Sequence, residues 1–593
     1  MAEHKDRLAS KVIGVEGPSK PVLQTPAQCR IKIAGKEIKH LVSEVELKQF
    51  VNKHHVMKAV IKQIGKKTAE EDFEDPNVHT KYLGESVALT ITPTGGTIDK
   101  SKELAFIGIV TGVSFDNSID GLNRVLITAQ SPTIVMDGSK QNAFFRDQTA
   151  SDIIGSILRT HPVTLGKVES TKRKLKFSVQ YRESDYDFIM RHAKNEGKFA
   201  FYDGTEFRVV AASSSDSEDL IWRKTLGALS VRVGAEPSEY KSDVYNYEQK
   251  KTFSHDSKSI TQQASLSDLS KASPTGSAKV FKKPGYIEVQ APPVDDARSL
   301  DDILKIARGQ SMGRMINCYG HSTIPTVAVG HCVNIKKMAD AVSLTYWVKS
   351  VEHIFDDSGK YHNTFECTPL DLAFPDGGGG RDKVTQLQTA VIVDNNDPDK
   401  LGRVKVKFPW SGSDETPWAR YVEIHAGADR GMFCIPEIGD EVIVGFELGI
   451  PDRPMVLGSV YNKDDKPHSK AGSDENLVKM FTTKGGNEIF FSDESGKEQI
   501  QITTKDGTNQ VVLSMDGPKI SITSDGGDIS ITGKNISIEA DEKIAMKAGT
   551  GLEAEAGTDM KLEASVNFKS KAGVTYDAEG AMVNVKGNPI KLN

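Results

Sequence analysis

The sequence predicts a mainly β protein with two barrel-like subdomains, a few helices, an OB-fold barrel and a C-terminal trimeric β-helix needle. Two observations support this fold class. Apolar and polar residues alternate in short runs separated by Gly, Asn and Asp, from about residue 22 to residue 462, which is the pattern of half-buried strands. The last sixty residues repeat with a period of eight, which indicates short strands separated by corners.

The composition is typical of a protein with several folded domains. Of the 593 residues, 38% are hydrophobic and 26% charged, and the net charge of −6 gives no reason to expect a nucleic-acid partner. The five cysteines are scattered, without a C-x-x-C pair, which favours a reducing compartment. Since the N-terminus has no apolar stretch, we expect assembly in the cytoplasm without a signal peptide. Delivery outside the cell or into a target cell would then depend on a larger machine.

The two barrel-like subdomains are predicted over residues 22–375, after an N-terminal extension (1–21) that shows no interpretable pattern. The first β set ends near residue 130 and the second begins near residue 230. Between them, the sequence predicts a helix over 148–160, capped by Thr149 or Ser151, and a second helix that ends at Gly197. A third helix is predicted over 299–316. Residues 254–279 are rich in Ser, Lys and Asp and are predicted to form a solvated loop.

One stretch of the sequence matches the pattern of a catalytic motif. Residues 309–313 read Gly-Gln-Ser-Met-Gly, which matches the G-x-S-x-G of a nucleophile elbow. That elbow requires a turn from a strand into a helix, whereas Ser311 lies in the predicted third helix. We therefore predict no catalytic residue, no enzyme activity and no cofactor. A second polar group is interpreted as helix-capping and packing charges, because no nucleophile accompanies it; it consists of Arg182, Glu183, Asp185 and Asp187.

An OB-fold barrel is predicted over residues 385–465. It follows a Gly-rich linker over 376–384, and its five alternating strands with Gly and Pro corners are typical of this fold. OB barrels can bind oligonucleotides or sugars. Here the basic residues are scattered among acidic ones, which favours a structural collar.

The needle is predicted over residues 475–593. From Gly533 the eight-residue blocks read GKNISIEA, DEKIAMKA, GTGLEAEA, GTDMKLEA, SVNFKSKA and GVTYDAEG. One block supplies a single short strand, which cannot bury its own apolar face. Three identical chains, each forming one face of a triangular prism, would bury these faces and leave no open strand edge. The predicted needle core is the fourth position of each block: Ile536, Ile544, Leu552, Met560, Phe568 and Tyr576.

Two stretches resemble the VgrG spike proteins of contractile injection systems and their phage tail hub-and-needle relatives. One is the block QYRESDYDFIMRHAKNEGKFAFYDG at 180–204. The other is the OB region, with LGRVKV at 401–406, FPW at 408–410 and IPEIGDEV at 435–442. The resemblance implies a structural homotrimer that joins a hexameric tail tube to a puncturing needle. It also implies baseplate proteins, a PAAR-like tip cap and effectors as partners, in a type VI secretion system, a phage-like particle or an extracellular one.

The end of the needle is predicted to dock the cap. The last histidine is His468 and the last cysteine is Cys434, so no metal is predicted at the tip. Ile590, Leu592 and Asn593 would form a blunt, partly apolar end that invites a partner.

The sequence leaves no room for an enzyme domain between the OB barrel and the needle, and we expect none after the needle. The alternative function is a trimeric adhesin or tail-fibre-like protein that binds an envelope glycan through the OB barrel.

Overall fold

The computed structural model of the chain describes residues 23–38, 41–62, 80–95, 98–117, 123–259, 266–289, 297–377, 383–472 and 474–591. The chain divides into two compact units, Met1–Lys466 and Pro467–Asn593, and each is described by itself. None of the described helices combines the length and the apolar character that crossing a bilayer requires. The predicted extension over 1–21 lies outside the described residues.

The first part of the larger unit, residues 23–377, is called the hub. Its strands are, in chain order, β1 (Thr25–Ile33), β2 (Lys36–Glu37), β3 (Leu41–Phe50), β4 (Val56–Lys62), β5 (Ser86–Pro93), β6 (Leu104–Asn117), β7 (Asn123–Gln130), β8 (Gln141–Thr149), β9 (Leu165–Val168), β10 (Lys174–Glu183), β11 (Phe199–Tyr202), β12 (Phe207–Val210), β13 (Ser217–Ile221), β14 (Leu226–Val233), β15 (Tyr240–Asn246), β16 (Lys251–Asp256), β17 (Gly285–Tyr286), β18 (Ile316–Ser322), β19 (Cys332–Lys336), β20 (Thr345–Phe355) and β21 (Lys360–Pro369).

Eight of these strands close into a barrel. The hydrogen-bonded order is β20-β3-β4-β7-β6-β5-β1-β21, and β21 pairs back onto β20. Every second residue faces the core, as the alternation predicted: on β5, Val87, Leu89 and Ile91 are buried. Because the side-chain period of a strand is two, this alternation fixes the register of each pairing.

A second set of strands shares the β20–β21 hairpin with this barrel. Its order is β13-β19-β20-β21-β18-β14, with β13 and β14 at its two ends, so that both sets belong to one 13-stranded sheet within the described part of the chain. The first residues of β20 pair with β19 and its later residues with β3. The sequence predicted two barrel-like subdomains in this region. In the structure the two strand sets are joined by the hairpin, because each strand of the hairpin is long enough to pair within one set with each of its halves.

Among the α-helices in the described part of the hub are α1 (Ala150–Leu158), α2 (Asp185–Asn195), α3 (Asp268–Val280) and α4 (Ala297–Met315). Thr149 caps α1 through a capping box with Asp152, which decides between the two predicted caps. The predicted stop at Gly197 is confirmed, since this residue has a φ of +65° after the end of α2.

The prediction of a solvated loop over 254–279 is wrong where the chain forms α3. Ser267 caps this helix, and its serines point inwards. Ser270 donates to Asp371 Oδ1 and Ser273 donates to the Gly234 carbonyl. The polar composition of this stretch led to the prediction of a solvated loop. These serine hydroxyls are nevertheless small enough to be buried once they are hydrogen-bonded. Residues 260–265 of the predicted loop lie outside the described residues.

The OB module, residues 388–461, is a five-stranded sheet with the order β23-β22-β27-β28-β24 and a separate β25–β26 hairpin. Its core is built from short β-branched residues, among them Val404, Val442 and Val456. Residues 378–382 of the predicted linker lie outside the described residues. The strands are β22 (Gln388–Asp394), β23 (Lys405–Lys407), β24 (Arg420–Tyr421), β25 (Ala426–Gly427), β26 (Arg430–Gly431), β27 (Glu441–Phe446) and β28 (Pro454–Ser459).

The smaller unit begins with an antiparallel meander of five strands in sequence order, called the meander sheet. After Gly527, no residue of the described 528–591 belongs to a strand; this stretch is called the octad segment. The strands of the meander sheet are β29 (Val478–Thr482), β30 (Glu488–Ser492), β31 (Gln499–Thr503), β32 (Asn509–Ser514) and β33 (Lys519–Ser524).

Candidate assembly surface

The octad segment follows the eight-residue repeat in its backbone. The chain bends at residues 541–542, 549–550, 557–558, 565–566 and 573–574. Each bend falls on the first two positions of a block, where the sequence has Gly, Asp or Ser. Between the bends the chain makes no strand pairing with itself. The backbone edges of the octad segment therefore have no hydrogen-bonded strand partner within the single chain.

The predicted needle-core residues are all exposed in the single chain. Their exposed fractions run from 52% at Ile544 to 67% at Tyr576. The second apolar position of the blocks is also exposed, with Met546 at 75% and Leu562 at 71%. Soluble proteins rarely expose contiguous apolar surface of this extent without a partner.

The meander sheet adds an apolar face that the sequence analysis did not single out. Its strand register places large apolar residues side by side across all five strands. Half or more of Ile502, Ile520 and Ile522 is exposed. The alternation within each short strand was visible in the sequence, but the register that aligns the strands was not. Two rows form the face: Phe481, Ile489, Ile502, Val511 and Ile522, beside Phe491, Ile500, Leu513 and Ile520.

The predicted cap-docking residues are only partly described. Ile590 is 49% exposed, whereas Leu592 and Asn593 lie outside the described residues. Within the described ranges, no three His, Cys, Asp or Glu side chains are grouped as metal ligands.

Within the larger unit, the OB module packs against the hub through aromatic rings. The Trp410 indole lies 5.0 Å from the Phe408 ring, 5.1 Å from Phe144 and 5.5 Å from Tyr181. The backbone N–H of Val179 donates to Asp452 Oδ1 over 2.7 Å. Phe408 and Trp410 belong to the FPW motif of the OB module, so this motif forms part of the contact between the module and the hub.

Arg403, the last residue of the Leu-Gly-Arg motif in the OB module, forms a buried ion pair. Arg403 Nη2 lies 2.7 Å from Asp397 Oδ1, and Arg403 Nη1 lies 3.1 Å from Glu248 Oε1 in the hub. Asp397 also accepts the backbone N–H groups of Asp399 and Leu401. Burial raises the pKa of Asp397, but the hydrogen bonds from the Arg403 side chain and the backbone outweigh burial and lower that pKa to about 2.

The residues of the G-x-S-x-G motif pack α4 against the rest of the hub. Ser311 is fully buried and donates a hydrogen bond to the Pro237 carbonyl. A Cβ on Gly309 would lie 2.7 Å from three atoms of the Phe374 ring. A Cβ on Gly313 would lie 3.0 Å from the Leu372 carbonyl oxygen. The two glycines therefore let α4 approach the end of the hub closely, and Ser311 is out of reach of any substrate.

The polar residues of the 180–204 block are engaged in local contacts. Arg191 Nη2 lies 3.0 Å from Glu183 Oε2, and Asp185 Oδ2 lies 2.7 Å from His161 Nε2. The Asp187 backbone N–H donates to the Ser184 hydroxyl that caps α2. These contacts agree with the interpretation as capping and packing charges.

Among the buried histidines of the hub are His55, His321 and His353. His353 Nδ1 lies 2.7 Å from the Tyr361 hydroxyl, and its Nε2 lies 3.3 Å from Gln49 Oε1. Burial lowers the pKa of His353 to about 3 and that of His55 to about 3. Burial and the neighbouring His362 lower the pKa of His321 to about 4. These rings are thus held neutral at physiological pH.

Comparison with known families matches both parts of the larger unit. The family model described as the Alg8 N-terminal domain matches residues 24–357. The model described as the type VI secretion system/phage-baseplate injector OB domain matches residues 388–461, which confirms the predicted OB barrel.

Individual relatives are similar over parts of the chain. The actin cross-linking toxin VgrG1 of Vibrio cholerae is 26% identical over 408 residues, covering 60% of this chain and 35% of that protein. The type VI secretion system spike protein VgrG1b of Pseudomonas aeruginosa is 35% identical over 162 residues, covering 25% of this chain and 20% of that protein. The chain thus spans about a third and a fifth of the length of these two relatives.

A solved structure has the same overall fold. It is the lidded Francisella PdpA-VgrG complex, which matches at 10% identity with a TM-score of 0.55, covering 88% of this chain and 83% of that one. At this identity, the similarity concerns the fold alone.

Proposed function

The chain belongs to the family defined by the Alg8 N-terminal domain and is a VgrG-like spike protein, and we propose that it works as a trimeric puncturing spike of a contractile injection machine. Its role is mechanical. The hub and the OB module form a platform, and the smaller unit forms the needle when three copies wind together.

The observation that carries this proposal is the exposed apolar surface of the smaller unit. Both the octad segment and the meander sheet present large apolar side chains that the single chain leaves open to water. Burying one such side chain is worth about 1.5–3 kcal/mol, and the rows repeat along more than a hundred residues. Three copies around one axis would bury them all and pair every strand edge.

The platform suits a hexameric tail tube. Each hub carries a closed barrel joined to a second set of strands, so that three copies would present six such subdomains to a six-fold partner. Baseplate proteins, a PAAR-like cap and effectors are the further partners that we propose. Assembly in the cytoplasm and delivery with the particle fit this role.

We propose no catalytic role for the described residues. The one motif with a catalytic form, around Ser311, is buried within helix packing. The Vibrio relative is named as a toxin, but the match covers 35% of that protein and carries no argument for such an activity in this chain.

The test is the oligomeric state and the partner of the purified full-length chain. Multi-angle light scattering should give a trimer, and the trimer should co-sediment with assembled tail-tube protein. A stable monomer at micromolar concentration would overturn the proposal. Binding to envelope glycans without any association with the tube would favour the adhesin function instead.

A further inference from the structure

The outer face of the octad segment carries charges in a pattern that repeats with the apolar rows. Positions five and seven of each block alternate with the apolar positions four and six, so that they point to the opposite side of the strand. The structure shows two of them together: Lys561 Nζ lies 2.5 Å from Glu563 Oε2, and their side chains are 83% and 73% exposed. In the proposed needle, these charged side chains would line the outside.

Three-sided geometry decides which residues of neighbouring copies meet. In the proposed trimer each block would cover one face of the prism, and the bend that follows it would turn the chain onto the next face. The strand already lying there is the preceding block of the neighbouring copy. Residue i+8 of one copy thus lies beside residue i of the next, at the strand spacing of about 4.8 Å. That distance allows oppositely charged side chains to form an ion pair.

The sequence supplies opposite charges at this spacing. Between Lys534 and Lys591, seven pairs of residues eight apart have opposite charges, and two pairs, Glu555/Glu563 and Lys561/Lys569, have like charges. A register slipped by one residue loses this match, since a spacing of seven gives two opposite pairs and a spacing of nine gives one. The seven pairs are Lys534/Glu542, Glu539/Lys547, Lys547/Glu555, Glu553/Lys561, Glu563/Lys571, Lys569/Asp577 and Lys571/Glu579.

We infer that these residues form a ladder of ion pairs between copies that sets the register of the three chains. The ladder rests on the proposed trimer and assigns a second function to the outer face. Apolar rows alone specify register weakly, because one apolar block fits against another. Like charges placed side by side on neighbouring strands are destabilising, so the ladder penalises a slip that sets each charged residue beside its own copy. A slip of one block the other way, with residue i beside residue i+16, keeps five opposite pairs instead of seven, so there the ladder favours the right register by two pairs.

A disulfide trap tests the register directly in the full-length chain. In the variant Glu563→Cys/Lys571→Cys, each copy places one cysteine beside the other cysteine of its neighbour. Oxidation should therefore give a covalent trimer on a denaturing, non-reducing gel. The matched control is Glu563→Cys/Ser570→Cys, whose second position points to the inner face. The unchanged chain gives the baseline for its own cysteines, of which Cys318, Cys332 and Cys367 are buried.

The outcomes separate the ladder from the trimer. A covalent trimer for the first pair and none for the control supports the ladder. A chain that is trimeric by light scattering, but gives no covalent trimer or an equal yield for both pairs, overturns the ladder and leaves the trimer standing. A chain that is monomeric by light scattering overturns both.

A charge-reversal variant tests whether the ladder stabilises the trimer. Lys571 would lie between Glu563 and Glu579, so that Lys571→Glu should lower the melting temperature of the trimer. Lys543→Glu is the control, because the residues eight away are Asn535 and Gly551. Reversing all three charges, Glu563→Lys/Lys571→Glu/Glu579→Lys, should restore the melting temperature. Equal melting temperatures for Lys571→Glu and Lys543→Glu would contradict the inference.

Discussion

The guanidinium of Arg403 and the carboxylate of Asp397 lie 2.7 Å apart, and each side chain is only 4% exposed. Removing one partner of a buried pair leaves the other charge without compensation, which costs about 3–5 kcal/mol. The loop that Asp397 organises through backbone N–H groups also loses its anchor. We therefore expect Arg403→Ala to lower the unfolding temperature of the OB module strongly, as measured by calorimetry.

The exposed Arg430 in the β25–β26 hairpin provides the control for Arg403. Arg430→Ala removes the same side chain from the same module but leaves no buried charge, so the unfolding temperature should hardly change. If both variants unfold at the same temperature, the buried pair does not support the module.

Gly309→Ala should destabilise the hub because the added methyl group would clash with the Phe374 ring. Overpacking of this kind costs about 1–3 kcal/mol. The matched control is Gly276→Ala in α3, where a Cβ meets nothing within 4 Å; there alanine should be neutral or stabilising. Urea unfolding of the two variants measures the contrast, and equal stability would show that the glycine is not needed for packing.

Ile544→Asp should abolish the trimer, because three carboxylates would lie near the needle axis without partners. Ala545→Asp is the control, since the next residue points to the outer face of the same block. Light scattering of the full-length variants should give a monomer for the first and a trimer for the second. A trimer that survives Ile544→Asp would place this residue outside the core.

Hub stability should fall as the pH falls from about 6.5 towards 3. The pKa of His353 in the folded hub is about 3, whereas an exposed histidine has a pKa of about 6.5. In this range the unfolded chain binds a proton that the folded hub cannot, so stability is present above pH 6.5 and is lost on acidification. His353→Gln should therefore reduce the slope of stability against pH by about 1.4 kcal/mol per pH unit. His425→Gln, which removes an exposed ring in the OB module, is the matched control.

Deleting residues 587–593 should abolish binding of the cap while leaving the trimer intact. The segment contains the partly exposed Ile590 but none of the predicted core positions. A pull-down with a PAAR-like protein, together with light scattering, measures both properties. Undiminished cap binding would move the docking surface elsewhere on the needle.

The strands and most helices of the hub could be predicted from local periodicity, because alternation and capping act over a few residues. The joining of the two strand sets through one hairpin could not be predicted in this way. It depends on Ser350 pairing with Phe50 and on Thr25 pairing with Tyr361, contacts between segments about 300 residues apart. The helix α3 was missed for a different reason, since its serines are buried by partners that lie elsewhere in the chain.

The candidate assembly surface could be predicted in part. The octads and their corners are local features, and the backbone bends where the sequence placed the corners. The apolar face of the meander sheet required the register of five strands, and the Arg403–Asp397 pair required the fold of the loop between them. A motif of three residues at 401–403 marked that position without revealing the partner.

The shared β20–β21 hairpin also determines when the hub can fold during synthesis. Strands β1 and β3 are made first, yet the barrel closes only when residues 345–369 leave the ribosome. At about 5–20 residues per second, that delay is on the order of 15–60 s. Throughout it, the outer edge of β3 and the part of β1 that β2 does not pair with have no partner strand, so that they can pair with other nascent chains while half of the hub is complete.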